Sequence, residues 1–394
     1  MREVVIVAGS RTPVGRFGGI FKDTDPSHLG SVAIRASLER SGVDFNDVDE
    51  VIMGNVIQAG SMGYLARTSA LKAGLPVETP AITVNRACAS GLEAINIAAY
   101  TIMSGDAEVI VAGGIESMST VPYLLPKVRF GGLRYGDGRL IDGVSLGLSC
   151  PIHDYQMGVT AENIADSYEI SRNDQDCLAV TSHARAIDAQ VRGYFDEQIE
   201  PVLTQTRSSE ETLYKVDEHP RSDTDIARLS ALKPVFKDSG TVTAGNSAGM
   251  NDAAAAVVVM SADYAKAHSI QPRMRWVARS VAGVDPQFMG TGPVPAVKKV
   301  LAKTSMELKD IDLVELNEAF AAQALYVIRE LGLDESLTNV NGSGISLGHP
   351  LGATGAIMAI KLMYELERQD TQLGLATLCV GGGQGVATIF ERIN

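Results

Sequence analysis

The chain repeats part of itself, and that repeat restricts its architecture more than any other feature. The stretch LERSGVDFNDVDEVIMGN from Leu38 aligns without gaps to LAKTSMELKDIDLVELNE from Leu301, with Asp47/Asp310, Asp49/Asp312 and Val51/Val314 in register. Further along, VNRACASGLEAI and VNGSGISLGHPLGATGAI each place a strand end, a small-residue turn and a helix start. Two copies of one βα module, related by duplication, are the natural reading. A chain of 394 residues has room for two such halves and a further lobe.

The texture between the copies supports this division. Apolar bursts at Val4–Ala8, Val109–Ala112, Ala255–Met260 and Leu375–Val380 read as buried strands. Helix-like stretches, Leu92–Met103, Ala319–Leu331 and Ala356–Leu366, alternate with them. Strands alternating with helices predict a layered, largely parallel α/β fold. From about Thr120 to Ala244 the strand signal thins, charges rise and loop signals such as GGLRYGDGRL and TQTRSSEETLYKVDEHPRSDTD appear. This segment reads as an inserted surface lobe, a lid or ligand cradle. The expected division is 1–119 with 245–270 for the first half, 120–244 for the lobe and 271–394 for the second half.

Charge and cysteine usage narrow the function classes. A net charge of −13 opposes non-specific nucleic-acid binding, which runs on clustered Lys and Arg. A small anionic ligand stays compatible with it through a local basic patch. The four cysteines, Cys88, Cys150, Cys177 and Cys379, lie far apart with no CxxC spacing, unlike a disulfide framework or a zinc site. The first strand begins almost at once, which predicts no signal or transit peptide. No apolar run reaches bilayer-spanning length. A reducing cytoplasm is the expected compartment.

Four side chains stand where chemistry could occur. Cys88 follows AITVN and opens the helix-like SGLEAINIAAYTIM, where the dipole and free amides would favour thiolate. The competing reading is a small buried thiol. His349, in GISLGHPLGATGA, precedes Pro350, which pushes it out of helical geometry and is itself suited to the first helical position. Glycines on both sides allow another backbone or a ligand to come close. Cys379 ends a strand and runs into VGGGQG, a turn whose amides could form an oxyanion hole. Asn317, in ELNEAF, sits between strand and helix, where N-capping is a competing explanation.

Together, NRACASGLEAI, NEAF, NGSGISLGHPLGATGA and CVGGGQG resemble, in order and spacing, the signatures of the thiolase family. RTPVGRFGG near the start and TVTAGNSAGMND before the second half extend the resemblance over essentially the whole chain. It implies two duplicated βαβαβαββ halves in a five-layered α/β/α/β/α sandwich with an inserted loop domain. It also implies Cys88 as the acylated nucleophile, His349 taking its proton, and Cys379 as the acid/base at the α-carbon. Asn317 would hold a water that stabilises one oxyanion with His349, and the amides of Cys88 and Gly381 would stabilise the other. Coenzyme A would lie against the lobe, near Arg221, Met157, Phe236 and Ser247, with Phe320 and Ala319. The chain has Gln156 and Ala248 where the family often has His and Ser, departures that touch ligand fit. The resemblance implies no cofactor beyond coenzyme A thioesters as substrates. GGLRYGDGRLIDG resembles the tetramer-forming loop of the short-chain biosynthetic type, so a homotetramer built from two tight dimers is expected. The implied activity is reversible condensation of two acetyl-CoA molecules, with a broad-range 3-ketoacyl-CoA thiolase as the alternative.

Rival readings are weaker. Gly245–Gly249 matches G-x-S-x-G, but a strand-like run follows where a nucleophile elbow needs a helix. The glycine runs lack the G-x-G-x-x-G spacing of a dinucleotide site. His28, His153, His183, His219 and His268 show no metal-ligand spacing and read as surface or core residues. A decarboxylating ketoacyl synthase would not need Cys379, and a silent acyl-CoA or lipid binder would not need the full set.

Overall fold

The computed structural model describes residues 2–61, 63–205 and 211–393; Met1, Met62, Asn394 and the 206–210 part of the lobe's charged loop lie outside the described residues. The first half runs β1 (Val4–Arg11), α1 (Pro26–Ser41), β2 (Glu50–Gly54), α2 (Leu65–Ala73), β3 (Ala81–Val84), α3 (Ser90–Ser104) and β4 (Val109–Ser117). The chain then leaves through the lobe, which contains α4 (Met157–Ser167) and α5 (Arg172–Val191), and returns as β5 (Asn251–Ser261). The second half runs β6 (Met274–Gly283), α6 (Pro293–Thr304), β7 (Leu313–Leu316), α7 (Ala321–Leu331), α8 (Leu351–Arg368), β8 (Leu373–Val380) and β9 (Gln384–Arg392).

The sequence repeat is a repeat of structure, and the recurring residues explain why. α1 and α6 each begin with proline and end on a left-handed residue, Gly42 and Ser305. A single 3₁₀ turn follows in both, Phe45–Asp47 and Leu308–Asp310, before β2 and β7. The second recurring aspartate then does the same work twice. Asp49 accepts hydrogen bonds from the N–H groups of Glu108 and Val109 at 2.7 and 3.0 Å. Asp312 accepts from Gln372 and Leu373 at 2.9 and 2.8 Å. Each carboxylate ties down the start of the neighbouring parallel strand, satisfying amides that the ladder leaves free.

The strands form one ten-stranded sheet in the order β7-β8-β9-β6-β1-β5-β4-β2-β3, with the short strand Gly15–Arg16 pairing beside β5. Its halves meet at a short seam, where Val5 pairs with Arg275 and Ile6 with Met274. Three buried clusters define the layers. α1 and α2 pack on one face of the first half-sheet through Leu29, Ile34, Val51 and Val111. α6 and α7 pack on the second through Val297, Val327, Leu375 and Ile389. Between the half-sheets lie α3 and α8, with Leu92, Ile95, Ile357 and Ile360 meeting Val257 from one side and Leu378 and Phe390 from the other. The five expected layers are present, joined through the β1–β6 seam. Each large aliphatic side chain buried there contributes about 1.5–3 kcal/mol, so the middle layer is strongly held.

Among the described residues, one strand of the duplicated pattern is missing from the second half. Where β3 lies beside β2, β7 has a single parallel bridge, Val314 to Thr338. Asn339 supplies the pairing with its side chain instead, accepting from the N–H of Leu316 at 2.9 Å and donating to its carbonyl at 2.8 Å. That amide imitates a strand backbone, so no further extended residues are needed.

Candidate active site

α3 and α8 cross at glycines, and the crossing fixes the distance between the loops at their N-terminal ends. A Cβ on Gly355 would come within 2.4 Å of the backbone nitrogen of Leu92, and one on Gly91 within 2.7 Å of the carbonyl oxygen of Gly352. Only hydrogen fits at either position. The turn that carries Cys88 therefore lies beside the turn that carries His349.

The Cys88 turn is built by its own polar neighbours. Asn85 accepts from the N–H of Ala87 at 2.9 Å, while Ser90 accepts from the N–H of Arg86 at 2.8 Å and donates to the carbonyl of Ala87 at 2.7 Å. These bonds hold Ala87 at φ +41°, a left-handed conformation that costs an L-residue about 1–2 kcal/mol. The cost is met immediately before the thiol, which swings toward the glycine turn after β8. Burial pushes the Cys88 thiol up to about 11; amides of Gly381 and of Cys88 itself donate to the sulfur and hold it down, and Glu116 pushes it up slightly. The expectation that the helix end would favour thiolate is therefore corrected. α3 starts two residues later, at Ser90, and desolvation outweighs the two amide hydrogen bonds to the sulfur.

His349 sits between the helical turn Gly344–Leu347 and α8. Pro350 is the N-cap of α8, one position before the expected one, and its carbonyl accepts from the amides of Ala353 and Thr354. The imidazole Nδ1 lies 2.7 Å from Thr354 Oγ1, and that hydroxyl donates to the carbonyl of Pro350 at 3.1 Å. With the hydroxyl proton so placed, Nδ1 carries hydrogen and Nε2 keeps its lone pair. Nε2 faces Asn317 Nδ2 at 3.4 Å. Burial lowers the imidazole to about 4, so it is neutral at neutral pH and able to accept a proton.

Asn317 follows β7 and is fully buried. Its N–H donates to the carbonyl of Thr377 at 3.0 Å, and its Oδ1 has no hydrogen-bond partner among the described residues. The N-cap of α7 is Phe320, without a side-chain cap, so capping does not explain Asn317. Cys379, at the end of β8, is fully buried among Met289 and Ala319, with Met157 and Phe320 packed against them. Burial raises its thiol, and the neighbouring Cys88 raises it further. The half-buried Cys88 and the fully buried Cys379 thus lie close enough for their charges to interact.

The residues expected at coenzyme A are only partly gathered. Met157 opens α4 and lies over Gly381, its Cε 3.1 Å from where a Cβ would be. Phe236 meets Phe320 edge to face, with centroids 6.1 Å apart at 87°. Ser247 bridges to Phe320, and the next amide, of Ala248, donates to the carbonyl of Ala319 at 2.9 Å. The Ser247 hydroxyl donates to the carbonyl of Thr243 at 2.7 Å, which leaves only its acceptor capacity free. The chain after Gly249 runs directly into β5, so the nucleophile-elbow geometry is absent. Arg221 is exposed on the lobe, its backbone N–H donating to His183 Nδ1 at 3.2 Å. Gln156 donates to Ser145 Oγ and Ser149 Oγ, both at 2.9 Å, and so braces the entry to α4.

Residues 4–263 match the family described as "Thiolase, N-terminal domain", and residues 270–392 match "Thiolase, C-terminal domain". The chain belongs to the thiolase family. It is 50% identical, over the full length of both chains, to the beta-ketothiolase BktB of Cupriavidus necator. It is also similar to the crystal structure of the Bacillus anthracis acetyl-CoA acetyltransferase, with TM-score 0.98 and 47% identity, covering 100% of this chain and 99% of that one. Human mitochondrial 3-ketoacyl-CoA thiolase is similar as well, at TM-score 0.96 and 44% identity over 100% and 99% of the two chains. The chain is accordingly an enzyme, an acyltransferase.

Three contributors to this thiolase site were not singled out in the sequence. Thr354 sets the imidazole tautomer, and only its place five residues beyond His349 hinted at it. Glu116, fully buried, accepts from Asn55 Nδ2 at 3.0 Å, Val56 N at 3.0 Å, Ile57 N at 3.2 Å and Gly352 N at 2.8 Å. It thereby ties the first turn of α8 to the loop after β2. Asn251, inside the TVTAGNSAGMND motif, accepts from the backbone N–H of His349 at 3.0 Å. Among the described residues, no group of three or more His, Cys, Asp or Glu side chains could hold a metal ion, and no helix is long and apolar enough to cross a membrane.

Proposed function

We propose that this thiolase reversibly condenses two acetyl-CoA molecules to acetoacetyl-CoA and coenzyme A through an acetyl-Cys88 intermediate. What supports the reading is the convergence of two thiols, a neutral imidazole and two amides directed at one sulfur. In the thiolytic direction the resting site carries both thiols protonated. Cys88 gives its proton to His349 Nε2 as its sulfur attacks the keto carbonyl, and the oxyanion forms within reach of the Asn317–His349 pair or of the Cys88 and Gly381 amides. The carbon–carbon bond breaks, the leaving carbon takes the Cys379 proton, and acetyl-CoA departs. Free coenzyme A then gives its thiol proton to the Cys379 thiolate and attacks the acyl group. The Cys88 sulfur leaves and recovers its proton from His349. Run backwards, coenzyme A departing from Cys88 takes the Cys379 proton, so acylation itself creates the base for the second acetyl-CoA. A thiolate whose thiol is raised by burial is a stronger base, as a weakly acidic thioester α-carbon requires.

The short-chain assignment draws on Met157, Met289 and Phe320, which crowd the Cys379 side of the site. The related human 3-ketoacyl-CoA thiolase keeps a broader chain-length range as the second reading. In the same proposal, residues 1–119 with 245–270 and residues 271–394 are the two halves, and 120–244 form a lid that cradles coenzyme A. Arg221, Met157, Phe236, Ser247, Phe320 and Ala319 are its contacts. The assembly is a homotetramer in the cytoplasm, a compartment that keeps two catalytic thiols reduced. Thiolysis of acetoacetyl-CoA beside 3-ketohexanoyl-CoA tests the substrate. Strong preference for the four-carbon substrate is expected, because Met157, Met289 and Phe320 crowd the Cys379 side and each methylene a pocket disfavours is worth about 1–3 kcal/mol. Comparable rates on both would establish the broad-range alternative.

A further inference from the structure

The His349 imidazole is held by two side chains, but the position of its backbone depends on something else. Asn251 is fully buried at the start of β5, in the other half of the duplicated fold. Its Oδ1 accepts from the N–H of His349 at 3.0 Å, and its Nδ2 donates to the carbonyl of Gly15 at 2.9 Å. The preceding residue, Gly348, lies so close that a Cβ there would meet Asn251 Cγ and Oδ1 at 2.4 Å. At φ +94° the position also excludes an ordinary L-residue. His349 is thus placed by a side-chain clamp from across the duplication.

A second contact reaches the clamp from the inserted lobe. His219 Nδ1 lies 3.3 Å from Asn251 Nδ2, and the same ring hydrogen-bonds the carbonyl of Ile345 in the helical turn before His349. Asn251 Nδ2 can only donate, so Nδ1 accepts from it and the neutral ring carries its hydrogen on Nε2. His219 is itself immobilised by its neighbours in DEHPR. Asp217 forms a buried pair with Arg11 at 2.7 and 2.9 Å, and Glu218 accepts from the N–H of Arg16 at 2.8 Å. Arg221, the proposed coenzyme A contact, is two residues further along this segment.

We propose that Asn251 is a positioning residue for His349, clamping its peptide, and that His219 holds the clamp closed from the lobe that cradles coenzyme A. The inference rests on His349 being the base of the proposed mechanism. Asn251 is inaccessible to substrate, so its loss acts on turnover and leaves coenzyme A binding alone. Displacement of a reacting group by an ångström costs on the order of 100-fold in rate.

The test uses the full-length enzyme, with acetoacetyl-CoA thiolysis for kcat and KM, and the burst of Cys88 acetylation by acetyl-CoA. Asn251→Ala is expected to lower kcat and the burst rate about 10- to 100-fold with KM essentially unchanged. His219→Ala is expected to lower kcat in the same way. His219→Gln should restore most of it, because a glutamine oxygen can accept from Asn251 Nδ2 while its amide donates to Ile345. A folded Asn251→Ala enzyme with wild-type kcat overturns the proposal. If Asn251→Ala does not fold, the His219 pair decides: loss repaired by glutamine supports the clamp, whereas equal loss in both or no loss in either overturns it. His349→Ala separates the two claims. If it is active, the base assignment fails; if it is inactive while Asn251→Ala is active, only the clamp fails.

Discussion

Cys88 would be readily ionised if the field of α3 decided its proton affinity, and the surroundings decide otherwise. With burial raising the thiol to about 11, the resting site holds Cys88 as thiol rather than thiolate at neutral pH. In the proposed mechanism nucleophilicity comes from proton transfer to His349 during attack, which a neutral imidazole with Nε2 unprotonated can accept. Alkylation of Cys88 by iodoacetamide, followed by peptide mapping, should keep rising with pH beyond 9 toward 11. A plateau at or below neutrality would mean a preformed thiolate and would reverse this account. Cys88, His349, Asn317 and Cys379 could be picked out as candidates in the sequence because each sits at a strand end or helix mouth inside a motif that resembles a thiolase signature. The balance between dipole and burial could not be, since desolvation depends on what other segments pack over the sulfur. Thr354, Asn251 and His219 escaped for the same reason. Their significance lies in hydrogen bonds to residues whose proximity only the folded chain creates.

At the scale of elements, the glycines of α3 and α8 do the positioning. Alanine in a helix interior is ordinarily favoured over glycine by about 1 kcal/mol. Gly355→Ala should do the opposite here, because the new Cβ would sit 2.4 Å from Leu92 N and 2.6 Å from Leu92 Cβ. Overpacking of this kind costs about 1–3 kcal/mol, and the same displacement would separate the Cys88 and His349 turns. Urea denaturation should therefore show lower stability, accompanied by reduced kcat. A stabilised Gly355→Ala enzyme would show that the helices do not pack as closely as described. The duplicated helix–turn–strand unit was readable from Asp49 and Asp312, whose chemistry is local and repeated. The replacement of a second-half strand by the Asn339 side chain was not, because one asparagine in a loop carries no periodic signal.

The whole molecule adds a question of assembly. The hairpin stem formed by Tyr123–Leu124 and Ile141–Asp142 carries a tip on which Phe130 is 94% exposed and Tyr135 fully exposed. Two aromatic rings in water at one loop tip mark a surface that a neighbouring subunit covers in the proposed tetramer. Sedimentation velocity should find a tetramer, and Phe130→Ser with Tyr135→Ser should reduce it to dimers. A wild-type dimer would remove the loop from the account. Layering was foreseeable from the alternation of strands and helices and the lobe from the change of texture after about Thr120, whereas the β1–β6 seam that makes the half-sheets continuous depends on two residue pairs and left no trace in the sequence.

In the proposed mechanism the two cysteines divide the labour, one as nucleophile and one as acid/base, and intact-mass measurement after incubation with acetyl-CoA distinguishes them. Wild-type enzyme and Cys379→Ala should both carry one acetyl group on Cys88, Cys88→Ala should carry none, and neither variant should complete the carbon–carbon step. Acetylation of Cys88→Ala at another residue, or near-normal turnover by Cys379→Ala, would contradict the mechanism.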